Sequence, residues 1–402
     1  MADFYGTFFK KYNRYIIIMF KFAHMIHEII ITMPLMVCGI LTVLLGLSLI
    51  SKWDKPRFVL LLFMLTASLL YLGHSIYFYH QMKLITFSDT IYSFCNPAVF
   101  PLFFIYIEEL TRRQTNHLRQ FAYLLPSIVC CVAVGILYAL MDDAETHQFI
   151  DRHLYQNDFS SLGGLAWWQG LVHMLIKIIF ALEIPLIFVL SWRYIRQYNL
   201  TIENYYSNTE GKLLSKIHFL LTLFTAAAFI SFIFNIIGRY QFANSFWLLL
   251  LPSILFSTLL ILIGHVGLHQ QFTIKDIIAE ENGQAPTPSS TISQDKLSDS
   301  IKKLVEEERL YLQPNLKLDD LAKRLNTNRN YVYQAINIKM GVSFTNYINQ
   351  KRIEYAVQQM VENPKALLTD ITQKSGFTST SAFYRNFKTL IGCSPKEYLQ
   401  RL

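Results

Sequence analysis

Between residues 33 and 267 the chain is laid out in apolar blocks at 33–50, 58–79, 90–107, 120–140, 168–191, 214–237 and 245–266. Each is close to the ~20 residues that cross a ~30 Å hydrocarbon layer. Lipid leaves no backbone group unpaired outside helices and closed barrels, so the seven blocks predict a seven-helix transmembrane bundle. Pro56, Pro97, Pro101, Pro126, Pro185 and Pro252 mark starts or kinks of these helices. Residues 1–32 fit less well, because the apolar run Tyr15–Ile31 carries Lys21, His24, His27 and Glu28 behind Lys10, Lys11 and Arg14. Three readings stay open: an interfacial helix, an eighth span, or an extension ahead of a start at Met33. The first and last suit the charges better.

From residue 268 the pattern changes. Residues 268–296 include a Pro/Ser/Thr stretch, Gln284–Ser293, with no apolar period, and read as a linker. Residues 297–402 then show short amphipathic helices. In Leu318–Leu325 the residues Leu318, Leu321, Ala322 and Leu325 share a face; Asn326 and Thr327 break the helix, and Asn328 is a good N-cap for the next one. There Val332, Ala335 and Ile336, with part of Tyr331, point inward, while Arg329, Asn330, Tyr333, Gln334 and Asn337 lie outward. Two short helices about a tight turn form a helix-turn-helix unit, whose second helix fits the major groove. The pattern returns about fifty residues on, with Ala366–Lys374 as support, Gly376 as turn and Ser379 as N-cap. Phe383 and Phe387 face inward, and Thr380, Ser381, Tyr384, Arg385 and Lys388 outward. Between the units Ser343–Val361 reads as one helix, roughly 28 Å long at ~1.5 Å per residue. That is close to the ~34 Å between successive major-groove faces. The expected fold is therefore all-α: a seven-helix transmembrane bundle, then a cytoplasmic helical domain with two helix-turn-helix units joined by a long helix.

Composition sharpens the division. The chain is 52% hydrophobic and only 16% charged, below the ~25% charged of ordinary soluble domains. The formal net charge is +8, yet residues 310–402 alone hold thirteen Lys/Arg against six acids. Basicity concentrated in the polar part favours nucleic acid as partner. In the bundle, the first, third and fifth loops carry ten Lys/Arg and the second, fourth and sixth carry three. The positive-inside bias puts the odd loops and the C-terminal part in the cytoplasm. Trp167, Trp168 and Trp192 read as interfacial anchors. Five cysteines form no CxxC pair and read as reduced, packed thiols.

Gly376-Phe377, Ser379, Phe383, Arg385, Phe387-Lys388, Gly392, Ser394-Pro395 and Tyr398 resemble the C-terminal signature of the arabinose-regulator (AraC-type) transcription factors. Leu318, Leu321-Ala322, Leu325, Tyr331, Gly341, Phe344 and Arg352-Ile353 are similar to the first half of that family's domain. The resemblance covers about 300–402, and with seven spans ahead of it the chain looks like a membrane-anchored bacterial member. It implies a bilobal seven-helix domain that sets two recognition helices on one face of double-stranded DNA. Carried over by position, Asn330, Tyr333, Gln334, Thr380, Ser381 and Arg385 are the base-reading candidates. Arg329, Asn337 and Lys388 are the phosphate-contacting ones. Lys317, Thr372 and Ala382 depart from the family's usual residues, which touches the second unit's sequence preference and leaves the fold intact.

Ionisable groups inside a bundle are functional candidates because burying charge in lipid is costly. His173 and Lys177 share a face of the fifth span, with Glu183 about 240° further round the helix; together they form a candidate sensor pocket. His74, Asn96, Asn235 and His265 are further candidates for lining an interior cavity. The competing account is structural, with polar groups holding helices together. His27-Glu28 lacks the second histidine of a zinc-protease motif, and His265/His269 sit at a rim with no third ligand, so no metal site is expected. Glu108-Glu109 is expected to pair with the neighbouring basic loop. No nucleophile–base arrangement or phosphate loop appears, and neither enzyme activity nor a cofactor is expected.

These readings converge on a regulator in the bacterial inner membrane, its bundle an anchor or a sensor of a small-molecule or lipid signal. Its output would be altered homodimer pairing, altered reach through the linker, or proteolytic release there. The alternative class is a seven-span transporter or receptor with a protein-interaction tail, which predicts inverted repeats that the sequence does not display.

Overall fold

The computed structural model describes residues 2–238, 246–270, 273–274 and 294–402. Among them there is no strand, and the chain separates into two compact units: Met1–Tyr194 with Ser215–Gln270, and Ile195–Leu214 with Gln271–Leu402.

The first unit holds α1 (Ala2–Ser51), α2 (Lys55–Phe78), α3 (Met82–Thr111), α4 (His117–Leu140), the short α5 (Asp143–Gln148), α6 (Gly164–Tyr205, to Tyr194), α7 (Ser215–Ile237) and α8 (Phe246–His269). Seven of these contain stretches long and apolar enough to cross a membrane. The first such stretch starts at Met25, and α1 runs unbroken through residue 33, so the expected boundary there does not separate two elements. Sequential neighbours pack together, α1 on α2, α2 on α3 and α3 on α4, while α8 returns against α1 and α7. The helix α3 is the buried centre: nearly all side chains from Tyr92 to Thr111 are enclosed, whereas α4 buries only Gln120, Ser127, Cys130 and Val134. Pro97 and Pro101 sit inside α3, tolerable because neighbouring helices shield the freed backbone. The expected pairing of the adjacent carboxylates holds: Lys55 reaches Glu109 at 2.7 Å and Arg112 reaches Glu108 at 3.3 Å. All five cysteines are free thiols.

The second unit contains α9 (Gln294–Glu307), α10 (Leu318–Arg324), α11 (Arg329–Tyr333, continued by a wider turn over Gln334–Lys339), α12 (Phe344–Glu362), α13 (Leu368–Lys374), α14 (Thr380–Ile391) and α15 (Pro395–Leu399). It has two cores. Leu297, Ile301 and Val305 of α9 meet Leu318, Leu321, Val332, Ala335, Ile336, Phe344 and Ile348 in the first. Ile353, Ala356 and Met360 meet Ile371, Phe377, Phe383 and Phe387 in the second. The connecting helix α12 thus gives its first half to one core and its second half to the other, which makes the two lobes one body. Each fully buried Phe contributes about 1.5–3 kcal/mol. The Pro/Ser/Thr linker lies outside the described residues.

Candidate nucleic-acid interface

Local chemistry sets both recognition helices. Asn328 caps α11 by accepting from Asn330 N at 2.8 Å, and Ser379 caps α14 by accepting from Ala382 N at 3.2 Å; each satisfies a backbone donor at a helix start. Each unit turns through one left-handed residue, Asn326 at φ 47° and Gly376 at φ 81°. A Cβ on Gly376 would lie 2.7 Å from the Leu312 carbonyl oxygen, so that turn admits only glycine. The helix α10 lacks a side-chain cap from Lys317; instead Asp320 accepts from Lys317 N at 2.8 Å.

In the second unit Thr380, Ser381, Arg385 and Lys388 are all exposed on one side of α14, opposite the buried Phe383 and Phe387. In the first, Asn330 is exposed, while Tyr333, Gln334 and Asn337 are half-buried and Asn337 donates to Tyr333 O at 3.3 Å. Tyr331 is 38% exposed and faces outward more than expected. Ala382 is buried, so this departure from the family pattern places packing where a contact can stand.

Arg329 is occupied differently. Its guanidinium lies 3.6 Å from Asp319 and 4.3 Å over the ring of Tyr205, at the C-terminal end of α6. The whole segment 195–214, which the sequence assigns to a loop between spans, is part of this unit. Ser207 N donates to Leu316 O at 3.1 Å, and Thr345 Oγ1 donates to the carbonyls of Glu203 and Tyr206. Arg352, fully buried, donates to Tyr311 O and Gln313 O at 2.7 Å each and to Ser207 Oγ at 3.2 Å. Burial pushes its pKa down to about 10; its charge is met by carbonyl oxygens of the segment entering α10.

In the first unit, the three candidate sensor residues separate. His173 Nε2 lies 2.9 Å from Asp89, which also accepts from Tyr138 at 2.9 Å. Lys177 reaches Asn157 at 3.5 Å, and Glu183 has a buried oxygen with no hydrogen-bond partner. His153, in the segment between α5 and α6, stacks on Phe149 near His173, and burial lowers its pKa to about 4. Two cavities of about 130 and 100 Å³ share Tyr71, His74, Ser231 and Phe256; Asn235 and Asn96 line one each. Three of the four cavity candidates are therefore placed there, while His265 is exposed beside His269. Among the described residues no group of three His, Cys, Asp or Glu is arranged to hold a metal. Asp89 was missed because its helix neighbours are polar but unremarkable; Tyr205 was missed because nothing local marks it.

Two helix-turn-helix units in one bilobal body define the class of the second unit. A family model described as a helix-turn-helix domain matches residues 321–401, and these residues are a domain of the AraC type. The chain is 33% identical over 88 residues to the Msm operon regulatory protein of Streptococcus mutans, covering 22% of this chain and 31% of that one. It is 32% identical over 105 residues to the HTH-type transcriptional regulator YtdP of Bacillus subtilis, covering 26% and 13%. An HTH-type transcriptional regulator of Staphylococcus aureus is 26% identical over 100 residues, covering 25% and 13%. The chain thus spans less than a third of the length of these relatives. No solved structure matches it.

Proposed function

We propose that the protein is a membrane-integral, sequence-specific DNA-binding transcriptional regulator without enzyme activity. The observation that carries this reading is the exposed row Thr380, Ser381, Arg385 and Lys388 on a recognition helix whose opposite face is locked by Phe383 and Phe387. A guanidinium on such a helix can bind guanine edges bidentately, and lysine and serine can take phosphate. Seven apolar helices in the same chain and the charge bias of the loops support a reader held on the cytoplasmic side of a bacterial inner membrane. The relatives named as regulators support the same assignment for the shared domain.

The bundle acts as the sensor. Buried Asp89 with its partners His173 and Tyr138, and the cavities about His74, supply polar groups inside an apolar body, where a small-molecule or lipid signal could bind two states of the bundle unequally. The test is selection of genomic duplexes by the full chain in lipid nanodiscs at two salt concentrations. The expected result is enrichment of one operator, with binding weakened by salt and selectivity relaxed by Arg385→Ala. Absence of duplex binding at both salts would return the chain to the receptor or transporter class. Substitution of Asp89 or His74 that leaves the signal response of an operator-driven reporter unchanged would reduce the bundle to an anchor.

A further inference from the structure

Tyr205, the last residue of α6, and the turn after it to Thr209 are seated in the helix-turn-helix unit by contacts to both of its lobes. On the first side, Tyr205 lies under Arg329, the first residue of α11. Tyr206 is buried, with Lys317 Nζ 5.7 Å and Lys212 Nζ 5.0 Å from its ring centre, and it bridges to Lys317 through the backbone. Two adjacent aromatic rings thus take up three cations, one of them assigned above to DNA phosphate. On the second side, Ser207, Asn208 and Thr209 line a narrow cleft with Arg352, Arg385 and Asn386. Arg385 is one of the base-reading candidates of α14, so the segment neighbours one candidate side chain of each recognition helix. Its seat is built: Ser207 is 2% exposed, and the hydroxyl of Thr345 and the guanidinium of buried Arg352 both bind it.

We infer that Tyr205–Thr209 is an internal competitor of DNA, a segment of the chain that occupies the reading surface and must leave it for both recognition helices to engage a duplex. Arg329 cannot hold a phosphate while its guanidinium is stacked on Tyr205 and paired with Asp319. The segment thus stands beside a DNA-contact candidate of each recognition helix, Arg329 and Arg385. The contacts are also of a strength suited to exchange. A partly exposed cation–π contact is worth about 0.5–1 kcal/mol, and each neutral hydrogen bond about 1 kcal/mol net. Phosphate contacts can outcompete them. This rests on the DNA-binding reading above.

The experiment uses the full chain in nanodiscs and fluorescence anisotropy with a selected duplex. Tyr205→Ala removes the ring, Thr345→Val removes the hydroxyl shared by the Glu203 and Tyr206 carbonyls at constant volume, and Tyr205→Phe keeps the ring as the matched control. The expected result is a Kd lowered about twofold to fivefold by Tyr205→Ala, and by a similar factor by Thr345→Val. Tyr205→Phe retains the wild-type values. Unchanged or weaker binding in both Tyr205→Ala and Thr345→Val overturns the inference, weaker binding making the turn a DNA contact in its own right. Tightening by Tyr205→Phe equal to that by Tyr205→Ala also overturns it, since the ring is then not the masking group. Wild type and variants that all ignore DNA overturn the DNA-binding reading as well; wild type that binds with variants unchanged overturns the competitor alone.

Discussion

The two helix-turn-helix units share a plan but present it differently. The second shows a regular twelve-residue recognition helix with its polar face open. The first starts as five α-helical residues and widens over Gln334–Lys339, with Tyr333, Gln334 and Asn337 half-buried and Arg329 held by Asp319 and Tyr205. Wide helical turns of this kind concentrate at functional sites. The second helix thus opens its polar face to solvent with Arg385 lining a cleft beside Ser207–Thr209, while the first is held by Asp319 and Tyr205. A repeated motif need not contribute equally at a given moment, because what surrounds each copy differs.

The largest effect that tests this contrast is on stability. Gly376→Ala forces a Cβ to within 2.7 Å of Leu312 O at positive φ and should cost about 2–4 kcal/mol in thermal melting. Asn326→Gly, at the equivalent turn of the first unit, should change stability by no more than about 1 kcal/mol, since glycine suits the left-handed region. Equal losses would break the comparison. Next, Arg352→Met leaves the carbonyls of Tyr311 and Gln313 without their donor and should destabilise by about 2–3 kcal/mol. Hydrogen exchange should show the loss in both lobes, because Arg352 also lies over the ring of Phe377 in the second unit; a loss confined to the first would contradict its bridging place.

Binding effects follow. Arg385→Ala should weaken operator binding by about 1–3 kcal/mol and relax one base position. Gln334→Ala should cost less, about threefold in Kd, and more once Tyr205→Ala has freed its unit; a cost that is the same in both backgrounds would remove the asymmetry. The smallest effect is on salt dependence. Lys388→Ala should reduce the slope of log K against log salt by about 1 without changing sequence preference. Asn337→Ala should leave the slope unchanged, as a neutral amide already donating to Tyr333 O.

Much of this was legible in the chain. The apolar blocks from residue 58 onward match helices to within a few residues at most ends, because a long apolar run offers its backbone few hydrogen-bond partners other than itself. The caps Asn328 and Ser379, the turn at Gly376 and the inward faces of Phe383 and Phe387 could be read because each depends on residues a few positions apart. The first span was read from about 33, whereas the apolar helical stretch begins at Met25, since His27 and Glu28 interrupt the apolar run without interrupting the helix. Side-chain pairing inside the bundle was not readable: His173, Lys177 and Glu183 lie on one helix, yet their neighbours come from other parts of the chain.

By itself the sequence determined where the chain is apolar enough for lipid, where it is polar and basic, and which residues cap, turn and pack each short helix. All of these are set by local periodicity and side-chain chemistry. Only the tertiary structure decided that Asp89 meets His173, that Arg352 anchors the entry to the first reading unit, and that Tyr205 covers Arg329 across more than a hundred residues of chain. Such contacts depend on which faces meet when separate helices pack, and no spacing along the chain encodes that.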